Sequence, residues 1–272
     1  MTVKNKILII LDGSEILENS INFMLNSNFF EYSEINLFFI LHPLNPITES
    51  QSKQVIYNDY VHDHGRKLAK QYLEKITKII KEYNLDTKIS VNIVNSKNNI
   101  IERISLGDIF ATFISSNASN RISYLFGNRD LGYFVKNINP LLVIPIDSNI
   151  DINKPNHLYI SYFSNISKNP FINLFFDEKT NLINIQNINL IAKNSTEKEQ
   201  LSLLSEKISK NYHVNIIENK DNIPKILNKL ENQENIIVNI SYHPKSFIIN
   251  SFSKNSISYF LKCKIPILIN SN

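Results

Sequence analysis

A motif recurs in this chain at an interval of 126 residues. Residues 133–144 read YFVKNINPLLVI, residues 259–269 read YFLKCKIPILI, and the same interval separates Phe126 from Phe252. The interval is too long for the unit of a solenoid and is close to the length of one ordinary domain. The sequence therefore predicts two copies of one fold in tandem.

Composition allows two such domains and disfavours several classes of function. The 272 residues are 43% hydrophobic, enough for a core in each copy, and the net charge of +4 comes from lysines interspersed with acidic residues. We therefore expect no nucleic-acid partner. Cys263 is the only cysteine, the amino terminus lacks a signal-peptide pattern, and no apolar run approaches the ~20 residues that span a bilayer. These features favour a cytoplasmic protein without a membrane partner.

Short apolar runs alternate with amphipathic stretches in both copies, which is typical of parallel α/β sheets. Ten strands are predicted, at 6–11, 35–41, 89–94, 109–115, 140–146, 157–163, 188–192, 212–218, 236–241 and 266–270. Right-handed crossovers then give each copy a separate, doubly wound, five-stranded parallel sheet in the order 3-2-1-4-5. The predicted domains are residues 1–148 and 157–272, joined by a polar linker.

Helices are predicted between these strands, and the second copy is a trimmed version of the first. They fall at 17–25, 52–84, 98–106, 128–138, 168–177, 196–210, 222–232 and 253–264, with Thr196 and Glu199 as a capping box for the helix 196–210. Matching Val91 with Val214 leaves the second copy about 30 residues shorter than the first between its second and third strands. The long helix of residues 52–84 should therefore have no full-length counterpart.

The carboxyl ends of the strands are where open α/β sheets bind ligands. The first strand is followed by Asp12-Gly13-Ser14, where Asp12 could accept hydrogen bonds from a ligand or could simply cap the next helix, as Ser14 could. The fourth strand runs into a loop from Ser115 to Gly127. A phosphate site needs glycines that allow close approach of backbone N–H groups, and Gly127 alone supplies one here.

Three segments together resemble the universal stress protein family: the strand that ends in Asp-Gly-Ser, the second strand that ends in FFILH, and the closing helix that leads into PLLVIP. The resemblance covers essentially the whole chain as a tandem pair, and it implies an adenine nucleotide alpha hydrolase-like fold. Members that bind ATP or AMP carry a Gly-x2-Gly-x9-Gly-Ser/Thr loop after strand four. Here the loop is degenerate, because Ser115 and Ala118 stand near its first two glycines, and Gly127 and Asn128 occupy its end one residue early.

What the resemblance implies is a residual nucleotide site in the first domain, with Asp12 on the adenine side and Leu41 as a backbone contact. The cofactor-binding candidates are Asp12, Leu41, Ser115, Asn117, Gly127 and Asn128. The second domain has diverged further. Phe163 replaces Asp12, its loop Ser241-Tyr242-His243-Pro244 has no glycine, and Ser253 replaces Gly127.

No catalytic or metal site is predicted. His62 and His64 would point to different faces of a helix, at its solvated start, and lack a third ligand. Cys263 has no adjacent base. Asp12 and Asp108 should lie at opposite ends of the sheet, so they cannot form a carboxylate pair.

Three functions remain open on the sequence. The first is a non-catalytic, cytoplasmic stress-response protein that binds an unknown protein partner and needs no cofactor. The second is a stress sensor that binds ATP or AMP in the first domain, and the third is an enzyme. We also expect the two fifth strands to pair in an antiparallel manner, which would make the chain an intramolecular pseudo-dimer, with a homodimer through other surfaces as a further possibility.

Overall fold

The computed structural model describes a β-sheet and four helices. The described residues are 5–11, 21, 33–41, 51–83, 87–94, 97–115, 141–144, 156–161, 185–221, 223–242 and 264–271. The predicted helices at 17–25, 128–138, 168–177 and 253–264 lie wholly or mostly outside these residues. Of the first of them only Ile21 is described, and its side chain is buried.

Ten strands form the sheet in the order β3-β2-β1-β4-β5-β10-β9-β6-β7-β8. The strands are β1 Asn5–Leu11, β2 Ser33–Ile40, β3 Ile89–Val94, β4 Ile109–Ser115, β5 Leu141–Ile144, β6 Asn156–Ser161, β7 Ile185–Ala192, β8 His213–Glu218, β9 Ile236–Tyr242 and β10 Ile267–Ser271. The described helices are α1 Gln51–Tyr83, α2 Lys97–Ser105, α3 Ser195–Ile208 and α4 Ile223–Leu230. All ten predicted strands are confirmed, with ends that differ by at most three residues.

Each half of the chain has the predicted order 3-2-1-4-5 with parallel pairing throughout. In the second half the same order is β8-β7-β6-β9-β10. The register of the pairs also matches, since Ile7 aligns with Ile35 in the first half and Leu158 aligns with Ile188 in the second. The two halves are therefore two copies of one five-stranded unit.

The fifth strands join the copies. β5 and β10 pair in an antiparallel manner, with Leu142 directly opposite Leu268. Leu142 aligns with Phe113 of β4, and Leu268 aligns with Asn239 of β9, so each leucine occupies the same place in its own copy. A residue that faces its own counterpart lies on a two-fold axis, and the predicted pseudo-dimer pairing is confirmed.

The expectation of two separate sheets is wrong, because this pairing makes one continuous sheet of ten strands. Both fifth strands would otherwise carry an unpaired row of backbone N–H and C=O groups beside apolar side chains. Pairing satisfies both rows at once, so the sheets merge. The domain boundary between residues 148 and 157 stays a prediction.

Helices cover both faces of the sheet, which is why the strands are apolar on both faces. One core layer lies under α1 and α3 and includes Leu73, Ile76 and Ile80 of α1; the same layer contains Leu142 and Leu268. The other layer lies under α2 and α4. The first layer is continuous across β5 and β10, so the two copies share a core.

The second copy is trimmed where the sequence indicated. The helix between its second and third strands, α3, has 14 residues, whereas α1 has 33. The detailed match is corrected by two residues: Leu37 aligns with Val91 and the equivalent Leu190 aligns with Ile216, so Val91 corresponds to Ile216 and not to Val214. Both strands contain a Val-Asn-Ile sequence, which made the match of Val91 with Val214 look correct. The hydrogen-bond register, which the sequence does not give, shows which residues are equivalent.

Two helix ends show how local sequence sets the boundaries. The Asn194 side chain accepts a hydrogen bond from the Glu197 N–H at 2.8 Å, and the Glu197 carboxylate accepts one from the Lys193 N–H at 2.7 Å. The predicted capping pair of Thr196 and Glu199 is therefore wrong by two residues. At the end of α2, Gly107 has φ +67° and its N–H donates to the Ile104 carbonyl, a helix end that glycine adopts without strain.

None of the helices in the described residues combines the length and the apolar composition that crossing a bilayer requires.

An ion cluster holds the amino-terminal edge of the sheet. Asp108, just before β4, accepts a hydrogen bond from Lys6 of β1 at 2.6 Å and another from Arg103 of α2. The hydrogen bond from Arg103, followed by that from Lys6, lowers the pKa of Asp108 from 3.8 to about 2. Asp108 thus links α2 to β1 at the amino-terminal ends of the strands. Asp12 directly follows the other end of β1 in the sequence.

We expect Leu142→Ala and Leu268→Ala each to lower the free energy of unfolding by about 2–5 kcal/mol, because both side chains are buried. Since the two leucines face each other, the double variant should cost less than the sum by more than about 0.5 kcal/mol. Leu203→Ala, at a 64% exposed leucine of α3, is the control and should cost little. Denaturant titration measures all four, and additive costs would contradict the pairing.

Asp108→Asn should make stability less dependent on pH below neutrality. A carboxylate whose pKa is lowered on folding stabilises the protein above its unfolded pKa of about 4, and this contribution is lost as the pH falls through its folded pKa of about 2. The parent should therefore exceed the variant by about 1 kcal/mol at pH 6, as partly exposed ion pairs do, and this difference should shrink as the pH falls below 4 and vanish only below pH 2. Leu106→Ala, an exposed and non-titrating neighbour, is the control; a difference that stays constant with pH would contradict this role.

Candidate functional site

The predicted ligand site lies at the carboxyl ends of β2, β1 and β4, which are neighbours in the sheet. β1 ends at Leu11, directly before Asp12 in the sequence, and β4 ends at Ser115. The crossovers run in one direction from β1 to β3 and in the other from β4 to β5, so the switch point falls between β1 and β4. Leu41 and Ser115 flank the end of β1, about 10 Å apart at the usual strand spacing.

Leu41 is held firmly at this edge. Its N–H donates to the Val94 carbonyl at 2.8 Å, which links the ends of β2 and β3. Its half-buried side chain turns towards α1, where its Cδ2 lies 3.5 Å from the position that a Cβ on Gly65 would take. Because the N–H of Leu41 is already bonded to Val94, the backbone group of Leu41 that remains for a ligand is its carbonyl.

Ser115 closes β4 beside Ile144 of β5. The equivalent residue of the second copy, Ser241, ends the predicted strand 236–241 and begins the predicted loop Ser241–Pro244, and the structure places it in β9. It continues in β9 together with Tyr242, because the two pair with Asn270 and Ser271 of β10.

The other predicted site residues are Asp12, Asn117, Gly127 and Asn128, and all four lie outside the described residues. So do the residues proposed to replace them in the second copy, Phe163 and Ser253, as well as Cys263 and His243. The structure therefore places Leu41 and Ser115 on the two sides of the predicted site. The roles of the remaining candidates stay predictions.

His62 and His64, which were predicted at a helix start and not as metal ligands, lie within α1, because this helix begins at Gln51. Asp63 and His64 are exposed. Within the described ranges, no three His, Cys, Asp or Glu side chains come together as metal ligands would. Asp108 forms ion pairs with Lys6 and Arg103 at the amino-terminal ends of the strands, away from the predicted ligand site.

A second acidic residue, Asp221, lies between β8 and α4. Hydrogen bonds from Lys225 and then from Lys229 lower the pKa of its carboxyl group. The two lysines lie four and eight residues after Asp221, in the first and second turns of α4, and their Nζ atoms are 2.8 and 2.6 Å from the carboxylate. The Asp221 carboxylate therefore stabilises the start of α4 through ion pairs with two lysines of that helix.

A groove of about 640 Å³ lies between α1 and the edge strand β3, and it was not predicted. α1 lines it from Lys70 to Glu82, and β3 contributes Val91, whose side chain is 46% exposed. A signal for it does exist in the sequence, where Lys and Glu alternate every four residues at 70, 74, 78 and 82. The remaining exposure of Val91 depends on the packing of α1 over the sheet edge, which the pattern does not give.

Comparison with solved structures finds the same architecture elsewhere. A universal stress protein from Archaeoglobus fulgidus superposes with a TM-score of 0.64 at 16% identity, covering 99% of this chain and 97% of that one. A putative universal stress protein from Pseudomonas aeruginosa gives 0.55 at 10% identity, covering 99% and 94%. A functionally unknown protein from Pseudomonas aeruginosa gives 0.56 at 10% identity, covering 99% and 93%.

No family model matches the sequence, and no curated protein matches it significantly. Identities this low establish the fold alone. Both universal stress protein structures are covered almost completely, so the likeness extends over both copies and not over one of them. The chain therefore has the universal stress protein fold, of the adenine nucleotide alpha hydrolase-like α/β class, along its whole length.

Proposed function

We propose that this protein is a non-catalytic, cytoplasmic stress-response protein of the tandem universal stress protein type, which acts by binding a protein partner. The observation that carries the proposal is a mismatch between fold and site. The chain keeps the universal stress protein fold over its whole length, whereas the glycines of a phosphate-binding loop are largely missing.

Glycine is what such a loop needs, because any Cβ prevents the close approach of backbone N–H groups to a phosphate. The chain has five glycines, and all of them precede Tyr133. Gly65 lies within α1 and Gly107 ends α2, so two of the five are used elsewhere. No glycine follows β9 anywhere in the second copy, which leaves that copy without the means to enclose a phosphate.

The alternative is a sensor that binds ATP or AMP in the first copy. It is favoured by the retention of Asp12 directly after β1 and of Gly127 between β4 and β5. The backbone carbonyl of Leu41 would then be the contact at the end of β2. No catalytic role is proposed for either copy. Asp108 lies at the amino-terminal ends of the strands and cannot act together with Asp12, and the sequence offers no other acid–base pair.

Calorimetric titration of the purified protein with ATP or AMP should show no binding tighter than about 1 mM. The physical reason is the side chains at the former glycine positions, Ser115 and Ala118. Mass spectrometry of the denatured protein should likewise release no nucleotide. Sub-micromolar ATP binding that Asp12→Ala removes and Phe163→Ala, the equivalent change in the second copy, leaves intact would favour the sensor.

Complementation separates the two functions in cells. If the protein acts through a partner, cells that lack it should lose stress survival, and Asp12→Ala should restore survival as well as the parent does. Because a sensor needs its ligand contact, failure of Asp12→Ala alongside success of Phe163→Ala would contradict the proposal. Equal protein levels, checked by immunoblot, are the condition for the comparison.

A further inference from the structure

We propose that the groove between α1 and β3 is an interface between two copies of this chain, related by a two-fold axis that passes beside Val91. β3 is the outer strand at one end of the ten-stranded sheet. The proposal is independent of the proposed function, because it uses the edge strand and α1 and not the ends of β1 and β4.

The outer side of β3 presents backbone groups ready to pair. The carbonyls of Lys88 and Val94 accept hydrogen bonds from β2, at 2.8 Å each. Since alternate residues of a strand point to alternate sides, the N–H and C=O groups of Ile89, Val91 and Ile93 point away from β2. No strand pairs with that side among the residues that the structure describes.

β3 also lacks the features by which edge strands avoid pairing. Its sequence, ISVNIV, contains no charge, proline or glycine, and Val91 is 46% exposed. The strand at the other end of the sheet, β8, carries His213 and Glu218 at its two ends. The two edges are therefore different, and β3 is the one suited to strand addition.

A second β3 fits this edge by symmetry. With a two-fold axis through Val91, Val91 would face its own copy and Ile89 would face Ile93, so all three outward-pointing residues would pair in an antiparallel ladder. β5 and β10 already meet in this way inside the chain. As in that pair, the same face of both sheets would carry the same helices.

The two α1 helices would then lie side by side and antiparallel. α1 packs on both β2 and β3, so its axis stands about 5 Å from the two-fold axis at the usual strand spacing. Two such helices would be about 10 Å apart, the distance of packed helices. The midpoint of the groove-lining stretch, residue 76, would sit beside the axis.

The four charges at positions 70, 74, 78 and 82 are complementary to themselves under that symmetry. Two antiparallel copies centred on residue 76 place Lys70 opposite the second copy's Glu82, and Glu74 opposite its Lys78. Lys81 would lie opposite the neutral Gln71, one residue along the helix from the second copy's Lys70. A stripe in which Lys and Glu alternate every four residues reverses its sign about its midpoint, and this is what a homodimer needs and a random partner does not supply.

Sedimentation velocity at about 50 µM, which populates a dimer of micromolar affinity, should give a dimer for the parent. Val91→Lys should raise the dissociation constant by about 100-fold or more, because two lysines would meet on the axis. Ile217→Lys, at the 38% exposed isoleucine of the other edge strand, is the control and should remain dimeric. A monomeric parent, or a Val91→Lys variant that stays dimeric, would overturn the proposal.

Charge reversal tests the helix register without touching the strand. Lys70→Glu should weaken the dimer about tenfold, and Lys70→Glu with Glu82→Lys should restore it. Within one helix the double change is worse than the single one, since it also replaces the Lys78–Glu82 pair by two lysines. Restored dimerisation therefore arises only across the two-fold axis, and circular dichroism verifies folding; a double variant weaker than Lys70→Glu would overturn the arrangement.

Discussion

The antiparallel pairing of β5 with β10 is the contact on which the rest of the architecture depends. It is the strand contact between the two copies, and it places Leu142 against Leu268 on a pseudo-two-fold axis. Each of these strands alone would be an apolar edge, four or five residues long, with open backbone groups. Their union turns two five-stranded sheets into one and lets a single core layer extend through both copies.

Away from that contact the copies have diverged in different ways. Phe113 and its counterpart Asn239 are both fully buried in the sheet, although one is aromatic and the other polar. The 33-residue α1 corresponds to the 14-residue α3, and the glycines are confined to the first copy. The sheet and the pairing of β5 with β10 are alike in the two copies, whereas the helix between the second and third strands differs in length.

Much of the fold could be predicted because its strands are buried on both faces and read as uninterrupted apolar runs. The residues at the joint were predicted as well, since Leu142 and Leu268 occupy equivalent places in the repeated motif. The predictions that were wrong or missing concern three-dimensional geometry that the sequence does not show directly. Asn194 and Thr196 are both good caps, and only the start of the helix decides between them. The commitment of the Leu41 N–H to Val94 and the exposure of Val91 likewise follow from how neighbouring strands and α1 pack.

Hydrogen–deuterium exchange of the intact chain tests the pairing of β5 with β10 most directly. If β5 and β10 hold the two copies together, the amides that pair them should exchange as slowly as those of the central strand β1, and both copies should open in one cooperative event. The account is contradicted if those amides exchange as fast as exposed edge amides while the interiors of the two copies remain protected and open separately.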